Sequence, residues 1–342
     1  MIDTTPAADD TDLRTMRAVL HPRYADTATE ALDVGRAPLP TVSPGTVLVR
    51  VEAASIDRGT WHVMTGLPYP VRLAGFGFRR PKHLNPGAAF AGVVESVGAE
   101  VEGFTPGDRV YGTAPGAFAE YALAPAAKLA HAPAGLSAIE AATLPISAST
   151  ALQAVVDQAG LQPGESVLVM GASGGVGSFA VQIAWSIGAE VTGVASGPKL
   201  AAVRSTGAAH VVDHRTEDAL AEADRYDVII DIGGNRRLRD LRRALTPAGR
   251  LVITGGENGG RWLGGTDRQL RAMAWSLFLR QRLGTFIASE AAEHLDRLTE
   301  LVEASSLSPH IDRVVGLDDV PAAIDHLLDG TVIGKIAVDL TA

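Results

Sequence analysis

The sequence predicts an α/β chain in which a β-rich unit precedes a doubly wound parallel sheet, and three observations point to it. From Met16 to about Pro133 the chain runs in short apolar stretches broken by Gly and Pro, the texture of strands joined by tight turns. From Ser166 onward, apolar runs of strand length alternate with stretches of helical length, the pattern of a parallel sheet covered on both faces. At the start of that alternation the apolar run Val167-Leu168-Val169-Met170 passes through Gly171-Ala172-Ser173-Gly174-Gly175-Val176-Gly177 into a helix-like segment.

Taken in order, residues 17–20, 46–53, 91–97, 109–111 and 119–123 read as strands of the first unit. Near Ser137 the texture becomes Ala-rich and helical over 138–144, then again after Pro145 over 150–159. The second unit reads as strand 166–170, helix 176–187, strand 190–195, helix 199–205, strands 210–212 and 227–231, helix 238–245 and strand 250–254. Leu270, Met273, Leu277 and Phe278 recur at helical spacing over 269–283, with Arg268, Arg271, Arg280 and Arg282 among them. In an acidic chain this reads as a helix packed near the cleft or in a dimer contact rather than one lying on a membrane. An amphipathic helix over 290–304 and a strand over 333–340 follow. The expected division is a disordered tail over 1–15, the β-rich unit over 16–136, the α/β unit over 137–288 and a return to the first unit over 289–342.

Composition bounds the function. A chain of 342 residues with 46% hydrophobic content can build two cores with a cleft between them. The net charge of −9 argues against a grip on nucleic acid. The absence of cysteine removes disulfides, thiolate nucleophiles and every zinc site that needs sulfur ligands. Residues 1–12 are acidic and polar, without the apolar run of a signal peptide or anchor, so a cytoplasmic protein with no membrane contact is expected.

The glycine segment carries the chemistry. A strand, a glycine turn and a helix stand where a dinucleotide fingerprint requires them; the backbone can approach a pyrophosphate, and the first amides of the following helix point at it. Ser173, Gly174, Gly175, Val176 and Gly177 are the expected contacts, with Ala172 replacing the first glycine of the fingerprint. The same residues also spell Gly171-x-Ser173-x-Gly175, the nucleophile elbow of α/β-hydrolases. The unbroken alternation after the loop and the distinct β unit before it favour the dinucleotide over the ester. The stretch after the second strand, Val194-Ala195-Ser196-Gly197-Pro198-Lys199, has no carboxylate to accept from a ribose hydroxyl. Ser196 and Lys199 can instead hold the 2′-phosphate of NADPH.

Several ordered motifs resemble the zinc-independent, quinone oxidoreductase branch of the medium-chain dehydrogenases and reductases, a GroES-like catalytic domain joined to a Rossmann domain. They are Pro86-Gly87-x-x-x-Ala91-Gly92-Val93-Val94-x-x-Val97-Gly98, Phe104-x-x-Gly107-Asp108-x-Val110-Tyr111-Gly112, Gly116-Ala117-Phe118-Ala119-Glu120-Tyr121, and Ala141-Ala142-Thr143-Leu144-Pro145 leading to Thr150-Ala151. Where zinc-dependent members carry Gly-His-Glu, this chain has Pro86-Gly87-Ala88-Ala89-Phe90. Where zinc-free members carry Ser-x-Asn-x-x-Asp, it has Ser55-Ile56-Asp57-Arg58-Gly59-Thr60, so Asp57 stands at the Asn position and Thr60 at the Asp position.

The resemblance implies that nicotinamide lies among Thr150, Ile232 and Gly233 after the strand ending at Asp231, Gly255 and Gly256 after Thr254, and the terminal Gly334-Lys335. His214 stands where NADPH-using members often carry a tyrosine. The expected catalytic residues are His62 and Trp61 as hydrogen-bond donors and Asp57 to orient a donor, although Asp57 could equally pair with Arg58 and Trp61 serve the core. No metal is expected. The implied activity is NADPH-dependent reduction of a quinone, enone or related carbonyl by a homodimer. A ketone reductase or alcohol dehydrogenase, and a non-catalytic NADPH sensor or scaffold, stand as alternatives.

Overall fold

The computed structural model describes residues 14–234, 236–255 and 260–341; most of the expected tail lies outside them. In the first lobe β1 (Thr15–Leu20) and β2 (Asp33–Pro38) pair antiparallel around the short helix α1 (Ala28–Ala31). The spine is β3 (Thr46–Ile56), apolar enough to be buried along almost its whole length and followed at once by α2 (Arg58–Thr65). It pairs antiparallel with β4 (Ala89–Val97), which continues to β5 (Arg109–Thr113). On its other edge, residues 46–50 take β6 (Tyr121–Pro125), while β7 (Leu129–His131) pairs with β5. Phe90, Phe118 and Leu129 fill the core of this lobe.

The next helices line the junction. A reciprocal pair of hydrogen bonds between Ser137 and Glu140 starts α3 (Ala138–Ala141), satisfying two amides that the helix leaves open. A break was expected at Pro145, yet α4 (Leu144–Leu152) carries it in its first turn, where a proline forfeits no hydrogen bond. The alternation then follows: β8 (Ser166–Met170), α5 (Gly175–Ile187), β9 (Glu190–Ala195), α6 (Leu200–Ser205), β10 (His210–Asp213), β11 (Tyr226–Asp231), α7 (Leu238–Ala244) and β12 (Leu245–Ile253). After α8 (Gly260–Leu263) and α9 (Thr266–Ser276), β13 (Arg282–Thr285) completes six parallel strands in the order β10-β9-β8-β11-β12-β13. The chain reverses its direction of travel between β8 and β11, and the crevice at such a point is where open parallel sheets bind ligands.

One expectation is corrected here. The helix read over 269–283 ends at Ser276, because Leu283 belongs to β13, buried opposite Leu251. Leu270, Met273, Leu277 and Phe278 are exposed in the single chain rather than packed near the cleft. Ile287, beyond the free edge of β13, is 98% exposed. Among the described residues no helix is long and apolar enough to cross a membrane.

The chain then returns. Leu295 and Leu298 of α10 (Ala292–Glu303) pack in the α/β core, and the buried Tyr111 hydroxyl donates to Leu295 O at 2.5 Å. After β14 (Ile311–Gly316) and α11 (Val320–Leu328), neither of them anticipated, β15 (Lys335–Asp339) lies between β14 and the second half of β3. Its antiparallel register sets Ile336 against Ile56, which brings Lys335 to Asp57.

Candidate cofactor and active site

Three glycines of the loop do three different things. A Cβ on Gly177 would overlap the Gly171 carbonyl and lie 2.8 Å from Ala172 Cα, so this glycine lets α5 touch its own loop. A Cβ on Gly175 would meet Lys335 Cδ at 2.9 Å and Ser147 Oγ at 3.0 Å. A Cβ on Gly174 would find only Gly171 O, at 3.6 Å. The backbone at Gly174 is thus bare toward open space, at the start of a 13-residue helix whose first amides have no partner within the helix. That arrangement suits a pyrophosphate. The loop is held from the far end of the chain: Gly334 N donates to Ser173 O at 2.8 Å, and Gly174 and Gly334 form an isolated parallel bridge.

Beside that bridge stands a buried polar cluster. Lys335 Nζ donates to Asp57 Oδ1, to Ile56 O at 3.1 Å and to Ser147 Oγ at 3.1 Å, while the Ser147 hydroxyl donates to Asp57 Oδ1 at 2.7 Å. Asp57 and Lys335 side chains are 5% and 2% exposed. Asp57 therefore pairs with Lys335, and its position before α2 does not lead it to cap that helix. Ser147 escaped the sequence reading, although it lies three residues before Thr150 on the same helix. Thr150 itself turns its hydroxyl back to Ile146 O at 2.7 Å.

The other sequence-derived residues collect at the carboxyl ends of the parallel strands. Ile232 and Gly233 follow β11, and Thr254 and Gly255 follow β12; Thr254 Oγ1 is buried without a hydrogen-bond partner. Gly256 lies outside the described residues. Ser196 follows β9, and His214, exposed beyond β10, donates its backbone N–H to Ala195 O at 3.1 Å, beside Ser196. Lys199 Nζ donates to Gly330 O at 2.6 Å and Val332 O at 2.8 Å; burial pushes its pKa below the usual lysine value against the pull of Asp312. Asp213, not singled out from sequence, brings its carboxylate so close to Gly197 that a Cβ there would lie 2.6 Å from Oδ2. Its place at the end of the third parallel strand was the available signal.

The proposed donors lie on α2. His62 Nδ1 is 2.8 Å from Leu67 O; a carbonyl only accepts, so Nδ1 carries the proton, and Nε2 donates only in the imidazolium form. Trp61 is half-buried against the first-lobe core, with its ring edge-on to His62 at 5.0 Å.

Comparison with known proteins places this geometry. A model of the alcohol dehydrogenase GroES-like domain matches residues 43–134, and one described as zinc-binding dehydrogenase matches 206–338. The chloroplastic quinone-oxidoreductase QR1 of Triphysaria versicolor is 30% identical over 338 residues, covering 95% of this chain and 98% of its own. The chain belongs to the medium-chain dehydrogenase/reductase superfamily. The mitochondrial NAD(P)H oxidoreductase RTN4IP1 of Mus musculus is 30% identical over 331 residues, 87% of this chain and 82% of that one. A quinone oxidoreductase structure from Coxiella burnetii superposes with a TM-score of 0.80 at 26% identity, covering 96% of this chain and all of that one. The two lobes are therefore a GroES-like and a Rossmann domain, and the protein is an NAD(P)-dependent oxidoreductase.

The bare backbone at Gly174 leaves room for the pyrophosphate of a nicotinamide dinucleotide. The chain offers no cysteine to a metal ion, and among the described residues no group of three or more His, Asp or Glu could hold one.

The contrast among the glycines makes a testable distinction. Gly174→Val should leave the melting temperature nearly unchanged and abolish dinucleotide binding, measured by titration calorimetry. Gly177→Ala should instead destabilise the fold, by about 1–3 kcal/mol in denaturant unfolding, as overpacking does. The reverse pattern would remove the division of roles.

Proposed function

We propose that the protein reduces quinones or α,β-unsaturated carbonyls with NADPH and without zinc. The observation that carries this reading is the donor set. At the Ala88-Ala89-Phe90 position no side chain can ligate or polarise, and Asp57 is already committed to Lys335 and Ser147. A substrate oxygen is then polarised by hydrogen-bond donors alone, which suits an acceptor already activated by conjugation.

When bound, the cofactor supplies the hydride. The chain's own groups do the positioning. Asp57, an acceptor held by Lys335 and Ser147, is not the proton source; it fixes both of those side chains against Gly175. His62, as the imidazolium, or solvent supplies the proton. For the cofactor's 2′-phosphate, Ser196 offers a hydroxyl, and Lys199 has spent two of its three N–H donors on carbonyls, leaving one. Arg215, in the loop after β10, lies near enough to Lys199 to push its pKa down and adds a second positive charge beside it.

The decisive experiment follows cofactor oxidation after dialysis against a strong chelator. Quinones and enones should be turned over faster than simple ketones, with no gain on adding zinc. Activity that vanished on dialysis and returned with zinc, or a preference for simple ketones, would replace this reading.

Cofactor choice is tested separately. Lys199→Glu should weaken NADPH binding by about tenfold or more, the scale of a lost charge-assisted contact, and leave NADH binding intact. An unchanged ratio of the two affinities would remove Lys199 from the phosphate site.

A further inference from the structure

A cavity of about 430 Å³ opens between the loop after β11 and helix α9, lined by Arg236, Arg237, Arg239, Arg268, Arg271 and Trp275. Such a gathering of arginines runs against the net charge of the chain. Four of the five are paired with acids: Arg236 with Asp218, Arg239 with Asp240, Arg268 with Asp231 and Arg271 with Asp267. Three of these pairs are solvent-exposed, with the arginine side chains 37%, 69% and 62% accessible, and exposed ion pairs contribute little that a stronger anion would have to overcome.

Two groups are left wanting an acceptor. The Arg237 side chain has no partner among the described residues. Arg268, which also lines the cavity, has an Nε buried without a hydrogen bond in a side chain only 12% exposed, and a buried donor left unmade is costly. Trp275 adds an apolar wall, its residue still 38% exposed, with Arg242 5.5 Å from the ring centroid.

The cavity lies apart from the phosphate end proposed above. Ser196 and Lys199 follow β9, on one side of β8, whereas the cavity stands beyond β11, on the other. It adjoins the active cleft through Gly234, next to Gly233, and through Arg268, whose partner Asp231 ends β11.

We propose that this cavity is a second anion site, taking a ring-bearing phosphate of nucleoside-phosphate size in addition to the dinucleotide. The guanidinium groups match phosphate oxygens in bidentate fashion, the indole offers a face to the ring, and the volume lies within the range of small-molecule sites. The phosphate is either the remote arm of the reducible substrate, whose binding holds the reacting end in place, or a free nucleotide acting as effector.

The test uses ADP as probe, with the dinucleotide site kept saturated by NADP⁺. Calorimetry should find one further ADP bound per chain. Arg237→Ala with Arg271→Ala should weaken it by about ten- to a hundredfold, the span of one or two lost charge-assisted hydrogen bonds. Trp275→Leu should also weaken it, and NADP⁺ affinity should not change in either variant. Absence of the further ADP, or binding indifferent to these substitutions, overturns the site. This arm does not depend on which substrate is reduced. Turnover of a phosphate-bearing quinone beside a phosphate-free one then distinguishes the sources: ADP raising KM for the phosphate-bearing quinone alone assigns the cavity to the substrate's own arm, and ADP changing the turnover of both assigns it to an effector. ADP bound there with the turnover of both quinones unchanged overturns a role in the reaction.

Discussion

The buried pairing of Lys335 with Asp57 holds together the parts that make this site. It stands where the end of β3, the start of β15 and helix α4 meet. Two charges so far from water are tolerable because each is matched: the ammonium has three oxygen acceptors, and the carboxylate takes the ammonium and a serine hydroxyl on one oxygen. Breaking such a pair by deleting one partner leaves a lone buried charge and costs about 3–5 kcal/mol. The pairing is also positional. It follows from the antiparallel register of β15 on β3, and one residue earlier Gly334 is hydrogen-bonded to the glycine loop, so the lobe carrying α2 is locked to the lobe carrying that loop.

Two chemical consequences follow. Asp57, committed to Lys335 and Ser147, is a poor candidate for a metal ligand or an acid, which directs attention to neutral donors and to His62. The glycine loop is anchored at Ser173 and Gly177 and open at Gly174, so the rigid contacts and the free face are divided residue by residue. Preorganisation of this kind lets weak donors act, because they need not reorient as charge develops on the substrate.

The sequence made the Rossmann part legible because its strands are buried on both faces and read as continuous apolar runs, and because glycine turns, unlike other loops, carry a backbone requirement that is visible as a residue type. It hid elements whose period was masked by context. Over 269–283 the apolar residues kept helical spacing, but Leu283 answered to an edge strand that pairs with β12, and no local pattern announces a parallel neighbour so distant in the chain. Helix α2 was missed because Gly59 and the aromatic pair Trp61 and His62 dilute its period. The true partner of Asp57 lay 278 residues away, while its neighbour Arg58 offered a plausible local one. Ser147 and Asp213 failed to stand out for the same reason: each matters through what the sheet brings beside it.

Conjugate reduction without a metal differs from carbonyl reduction in where the transferred hydrogen ends, whatever the rate. The direct measurement is therefore to supply NADPH deuterated at the transferable position of the nicotinamide ring, with an enone and chelator-treated protein, and to locate the label in the product by NMR. Deuterium on the carbon β to an intact carbonyl is the predicted result. Deuterium on a carbinol carbon, or product formed only after zinc is restored, would contradict the proposed chemistry.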